Sequence, residues 1–177
     1  RVASEEGRGR EAAQEWANYR PGVTRMLEEA GYPVSTGLDI VFYGTLPNGA
    51  GLSSSASIEV LMAVILDDMF GWGLDRITLV KLAQKAENKF VGVNCGIMDQ
   101  FAVGMGKTDC AILLDCNTLE YRYSKLDLQD CSIVITNTNK KHSLGASKYN
   151  ERRSQCESAL KELQQVKSIQ ALGELTN

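Results

Sequence analysis

Histidine is nearly absent from this 177-residue chain, with His142 the only one. A Cys–His couple therefore has one possible base, and a histidine-built metal cluster is close to excluded. Cys95, Cys110, Cys116, Cys131 and Cys156 are odd in number, widely spaced and contain no Cys-x-x-Cys pair. Neither a disulfide framework nor a zinc site is indicated, and a reducing, cytoplasmic setting is expected. No run of eighteen apolar residues occurs, because the richest stretch, Ile58 to Phe70, is broken by Glu59, Asp67 and Asp68. No segment therefore reads as a membrane-spanning helix. Basic residues are not in excess: 19 against 22 acidic ones leaves a net charge of −3, which argues against a general binder of nucleic acid or anionic membranes. Repeats, low-complexity tracts and linkers are also missing. The chain opens at Arg1 without a methionine or a signal-type apolar region, so its beginning reads as a cut edge.

What is present suffices for a core. Apolar residues make up 44 %, and the length suits a single domain. Residues 1–10 are charged and read as a loose end. Ala13, Trp16, Ala17, Met26 and Leu27 fit a helical face from about Glu11 to Ala30, with a break or kink expected at Pro21 and a stop at Gly31 and Pro33. Leu38 to Thr45 reads as a strand. Ile58 to Phe70 lacks a polar stripe, the mark of a buried helix. Asp75 is placed to cap a helix with Leu79, Leu82, Ala83, Ala86 and Phe90 on one face. A short apolar stretch follows near Met98 to Val103. Cys110 to Leu114 and Leu119 to Tyr123 alternate as a hairpin around Cys116-Asn117, and Cys131 to Thr136 reads as another strand. A last helix, about Ser147 to Val166, points Tyr149, Cys156, Leu160 and Leu163 inward. This order of elements predicts α+β layers rather than a regular βαβ alternation.

Gly49-Ala50-Gly51-Leu52-Ser53-Ser54-Ser55 joins the predicted strand to the start of the buried helix. Glycines permit close backbone approach, N–H groups converge there, and the helix dipole adds positive potential, which together make a phosphate cradle. Serine hydroxyls can donate to phosphate oxygens or bind a hard cation such as Mg²⁺. An ordinary N-cap accounts for a serine before a helix just as well. Two lookalikes fail. Phe101 to Thr108 ends like a Walker A loop but begins with Phe101 and runs into a strand. Gly49-x-Gly51-x-x-Ser54 lacks the third glycine and the later acid of a dinucleotide fingerprint.

Gly92-Val-Asn-Cys-Gly96-Ile-Met-Asp99-Gln100 sets one acid in an uncharged, glycine-lined, apolar stretch. Asp99 either caps the short helix beginning near Met98 or is a carboxylate in a dry pocket, suited to accept a proton from a substrate hydroxyl. Glu87 on the preceding helix is a surface acid or, beside a phosphate loop, an Mg²⁺ ligand.

The segment Pro47-x-x-x-Gly51-Leu-Ser-Ser-Ser-Ala-Ser57 resembles the signature loop of the GHMP kinases. Within them, Gly92-Val-x-Cys-Gly-Ile-Met-Asp-Gln100 and His142-Ser-Leu-x-x-Ser-x-Tyr-x-x-Arg-Arg153 look like galactokinases, as do Trp16-Ala-Asn-Tyr19 and Leu113-Leu-Asp-Cys116. The resemblance implies a GHMP N-terminal-type fold (like ribosomal protein S5 domain 2), a mixed sheet packed on helices. It implies ATP-dependent phosphorylation of the C1 hydroxyl of α-D-galactose in a cytoplasmic enzyme, monomeric when intact. By the matched motifs, Gly49 to Ser55 cradle the nucleotide phosphates, Ser55 and Glu87 hold Mg²⁺, Asp99 is the catalytic base, and Gly96 and Tyr149 touch the sugar. Lys140 and Lys141 read as a solvated loop and His142 as structural. The family's N-terminal segment Gly-Arg-x-Asn-Leu-x-Gly-Glu-His-x-Asp and its C-terminal glycine-rich motif have no counterpart here. The expectation is therefore a central portion of a larger kinase, inactive by itself, mostly N-terminal domain, with the last helix leading toward the C-terminal one. The alternatives are a related sugar kinase, such as an N-acetylgalactosamine kinase, and a non-catalytic galactose and ATP sensor.

Overall fold

The computed structural model describes residues 18–47, 50–137 and 145–175. Helix α1 spans Tyr19–Glu29 and buries Val23, Met26 and Leu27 along one face. Pro21 does not break it. The proline is the third helical residue, where its missing N–H has no intrahelical acceptor to lose. The part of the predicted helix before residue 18 lies outside the described residues. The helix ends as a Schellman turn: Gly31 N–H donates to the Glu28 carbonyl and Tyr32 N–H to the Leu27 carbonyl, both at 3.0 Å. Gly31 adopts φ +93°, a conformation glycine reaches without a Cβ penalty.

Residues 33–47 run extended over the core. Leu38, Ile40 and Phe42 pack inward, whereas Val41 and Tyr43 are more than 90 % exposed. The period-two pattern that predicted a strand is real, but no neighbouring chain pairs with it among the described residues. Residues 131–136 carry no regular secondary structure, and Ile133, Val134 and Ile135 are exposed. Neither segment is a strand here, because a strand needs a ladder of inter-strand hydrogen bonds.

Helix α2 spans Ser54–Phe70 and buries Ala56, Glu59, Val60, Met62, Ala63 and Leu66. Leu61 and Met69 lie on its exposed side, so this helix is covered on one flank rather than all round. Helix α3, Arg76–Ala86, starts at Asp75, whose carboxylate accepts from Thr78 N–H at 2.9 Å as an N-cap. Its predicted inward residues Leu79, Leu82, Ala83 and Ala86 are buried. The chain continues as one π-helical turn, Glu87–Val91. Gly22 lets α1 approach this turn closely, since a Cβ there would stand 3.2 Å from the Phe90 side chain.

Helix α4, Met98–Met105, packs on α3 and α2 through Phe101, which is fully buried with Val80 and Ile97. Strands β1 (Cys110–Leu114) and β2 (Tyr121–Lys125) form an antiparallel pair with Ile112 opposite Tyr123. Ile112, Leu114 and Leu119 cover the Phe101 cluster. The second strand begins two residues later than its apolar pattern suggests, because Asp115 gathers the turn by accepting from Asn117 and Thr118 N–H. Helix α5, Gly145–Leu163, closes the order, followed by a 3₁₀ turn at Leu172–Glu174. The inward face expected of α5 is not buried: Tyr149 and Cys156 are exposed, and Leu160 and Leu163 only half-buried. Large apolar residues are too sparse among its lysines, arginines and glutamates to form a stripe.

The architecture is α+β: helices α1, α2 and α3 enclose the main core around Leu27, Leu66 and Leu79, and the hairpin covers a second cluster. In place of the expected mixed sheet, one antiparallel pair is found among the described residues.

Candidate active site

The serine loop, the stretch Gly92–Gly96 and the first turn of α4 meet at one end of the helical layer. Gly49 lies outside the described residues. Gly51 is exposed and left-handed at φ +73°, and Ala50, Leu52, Ser53, Ser54 and Ser55 are half-buried. Ser54 and Ser55 open α2, where first-turn amides have no intrahelical acceptor. Ser53 occupies the N-cap position but does not cap. Its backbone is left-handed, φ 55° and ψ 39°, and no hydrogen bond runs from its side chain to the helix. The hydroxyl instead donates to Asp99 Oδ1 at 2.9 Å. A non-glycine residue in that region is uncommon and costs about 1 kcal/mol or more, so the surrounding structure must hold it. The ordinary-cap account of the serine loop is thereby excluded for Ser53.

Asp99 is not a cap either. Ile97 takes that position, and Asp99 stands in the first turn of α4, where the helix dipole favours a carboxylate. It is exposed on the solvent side of the turn rather than held in a dry pocket. The next residue along the helix, Gln100, points the other way and is fully buried.

Beneath the loop lies a polar cluster that the sequence did not reveal. Gln100 Nε2 donates to Glu59 Oε2 of α2 at 3.0 Å and also to Glu87 Oε2 of the π turn. Cys95 Sγ lies 3.4 Å from the same Glu87 oxygen and 3.2 Å from Asn88 Oδ1. Glu59 is fully buried and Glu87 is 7 % exposed. Burial pushes the Glu59 carboxyl up to about 9, helped by the neighbouring charge of Glu87 and opposed by the Gln100 bond. It is therefore neutral at physiological pH. Burial and then the Glu87 charge likewise raise the Cys95 thiol to about 12. Glu87, expected on a polar face, is thus a buried acid. The available signal was Glu59, a lone acid at the start of an apolar helix, which reads there only as an interruption.

The other predicted pair also comes together. Gly96 N–H donates to Tyr149 Oη at 3.4 Å. Asn150, also unread in the sequence, accepts from Asn94 N–H at 2.8 Å and donates to the Gly92 carbonyl at 2.9 Å, much as a strand neighbour would. From the opposite side, Gln84 and Asn88 donate to the Cys95 carbonyl at 3.2 and 3.3 Å. The glycine-rich segment is therefore held from both flanks. Ser55 and Glu87, expected to share a cation, are not joined by a hydrogen bond among the described residues. Lys140, Lys141 and His142 lie outside them. The discarded Walker lookalike runs from α4 into β1, with no helix at its end.

No cluster of three His, Cys, Asp or Glu suited to a metal occurs among the described residues. A hard cation that takes most of its ligands from phosphates and water needs no such cluster, and one hydroxyl with one carboxylate fits its chemistry. The donor set of Ser55 and Glu87 is of that kind. No helix among the described residues is long and apolar enough to cross a membrane.

The GHMP kinases N terminal domain matches residues 18–107. A galactokinase of Clostridium beijerinckii is 61 % identical over 166 residues, covering 94 % of this chain and 43 % of that protein. One of Clostridium acetobutylicum is 62 % identical over 162 residues, 92 % of this chain and 42 % of the relative. The chain thus spans less than half the length of these curated relatives. Among solved structures, Lactococcus lactis galactokinase complexed with galactose matches with a TM-score of 0.88 at 47 % identity, covering 99 % of this chain and 44 % of that one.

Proposed function

The chain belongs to the GHMP kinase family, and from that premise we propose that it forms the phosphate-binding, metal-binding and proton-accepting part of a galactokinase. The reaction is transfer of the γ-phosphoryl group of ATP to the C1 hydroxyl of α-D-galactose, giving galactose 1-phosphate and ADP. The observation that carries this reading is the bond from Ser53 to Asp99, which sets an exposed carboxylate against the loop that would hold the phosphates. The identity of about 60 % to galactokinases over most of this chain supports the sugar.

In this reading Gly49 to Ser55 and the first-turn amides of α2 bind the ATP phosphates. Asp99 accepts the C1 hydroxyl proton as the oxygen attacks the γ-phosphorus, and ADP leaves in line. Exposure of Asp99 suits that role, because the acceptor oxygen must reach it. Ser53 supplies a hydrogen bond that orients the carboxylate. Gly96 and Tyr149 bind the sugar on a segment stiffened by Asn150 and Gln84. Ser55 and Glu87 hold Mg²⁺, which when bound neutralises charge on the phosphates. In this reading the chain is mostly the family's N-terminal domain, which matches residues 18–107, and the last helix leads toward the C-terminal domain. The odd, unpaired cysteine set suits a cytoplasmic enzyme.

The test is galactose-dependent ADP release by the protein that carries this chain, with and without Asp99→Asn. Loss of a positioned base lowers turnover by about 10²- to 10⁴-fold. Turnover within a few-fold of the parent would remove Asp99 from the chemistry. Preferential phosphorylation of N-acetylgalactosamine would replace the sugar assignment while keeping the family.

A further inference from the structure

Resting on the reading of Glu87 as a metal ligand, we propose that Gln100 is a positioning residue for the cation site. Its carboxamide holds Oε2 of Glu87 so that Oε1 stays available to a divalent cation beside the phosphate loop.

The Gln100 amide nitrogen carries two hydrogens, and each goes to a different acid: Glu59 on α2 and Glu87 on the π turn. Neither bond uses Oε1 of Glu87. Gln100 is 0 % exposed, so the two bonds form out of water, where their geometry is well defined and their loss is expensive. Cys95 Sγ approaches the same Oε2 from the adjoining segment, which reinforces the choice of oxygen. Filling space does not explain the residue. A buried methionine would occupy nearly the same volume, whereas Gln100 leaves its own Oε1 buried with no partner among the described residues. An unsatisfied buried carbonyl is a standing loss of stability. Its retention is explained by the two donors at the other branch of the amide.

The placement also couples two functions in one helical turn. Asp99 faces Ser53 of the loop, and Gln100, about 100° further round α4, faces the ligand on the π turn. A shift of α4 therefore moves base and metal ligand together.

The experiment measures Mn²⁺ binding at saturating ATP by the electron paramagnetic resonance of free Mn²⁺, in the protein carrying this chain. Gln100→Met removes both donors at similar volume, and Gln100→Asn keeps the amide but withdraws it by one methylene. Melting temperature and ATP binding in EDTA are followed alongside. Outer-shell partners of this kind are worth about 10- to 100-fold in metal affinity, so both variants should weaken Mn²⁺ by at least about tenfold while metal-free ATP binding stays near the parent value. Should the methionine variant fail to fold, the asparagine variant decides. Mn²⁺ affinity within twofold of the parent overturns the inference, as does an equal loss of metal-free ATP binding, which marks a structural role only. Glu87→Gln separates the two layers. If it weakens Mn²⁺ and the Gln100 variants do not, the positioning role alone falls. If Glu87→Gln leaves Mn²⁺ unaffected, the ligand assignment falls and the inference with it.

Discussion

Replacing Glu59 by glutamine should make the folded chain more stable, by an amount that grows with pH. In the folded state the Glu59 carboxyl keeps its proton up to about pH 9, whereas an exposed carboxyl in the unfolded chain releases it near about 4.3. Between those limits folding takes up a proton, so the stability contributed by this site is greatest at low pH and falls as pH rises. The slope is about 1.4 kcal/mol per pH unit, which accumulates to about 4 kcal/mol by pH 7 and levels off only above about 9. Glutamine is neutral in both states and abolishes the slope. It also retains a carbonyl oxygen for the Gln100 N–H that now bonds Glu59 Oε2. Loss or gain of fixed contacts shifts the difference between the two proteins by a constant, so the change of that difference with pH isolates the proton. Urea unfolding of both proteins at about pH 5.5, 7 and 8.5, with EDTA present to keep cations from Glu87, measures it. The reasoning predicts a gap that widens by roughly 4 kcal/mol across that range. A gap constant to within about 0.5 kcal/mol would show that Glu59 ionises in the folded chain as it does in the unfolded one, and would refute the reasoning.

Two further outcomes follow from the same geometry. Cys95, half-buried and raised to about 12, remains a thiol at pH 8 and should resist iodoacetamide, while exposed Cys116, Cys131 and Cys156 react. Peptide mass analysis of the native chain reads the order, and early labelling of Cys95 would contradict its burial. Asn150→Ala removes the acceptor of the Asn94 amide, and the loss of about 1 kcal/mol of local hydrogen bonding should speed exchange of that amide about fivefold. An unchanged exchange rate would mean that α5 does not brace the Gly92–Gly96 segment.

Much of the scaffold was legible because its causes are local. Asp75 caps α3 through a side chain three residues from its partner amide. Gly31 ends α1 because the left-handed turn disfavours a Cβ. The spacing of Leu79, Leu82, Ala83 and Ala86 repeats with the helical turn, and all four are buried. Pro21 does not interrupt α1, because within Tyr19–Glu29 it stands in the first turn, where its missing N–H has no acceptor to lose. The strand reading of residues 38–45 failed on a non-local requirement. Alternation of Ile40 and Phe42 with Val41 and Tyr43 sets which face is buried, but only a partner chain supplies a ladder.

By itself the sequence determined the α+β class, the serine loop at the head of a helix, the isolated acid Asp99, and the motifs that mark a GHMP kinase. These depend on backbone preference, helical period and short spacing, all carried within a few residues. Only the tertiary structure decided that Ser53 turns from its helix to Asp99, that Tyr149 reaches Gly96, and that Gln100 joins Glu59 to Glu87 beneath the loop. The partners in those contacts stand 13 to 53 residues apart. Their meeting depends on how α4 packs on α2 and α3 and how the π turn continues α3. Packing also reassigned the charges. It carried Glu59, which reads as an interruption in an apolar run, into an interior where a carboxyl keeps its proton, and left Asp99 in solvent.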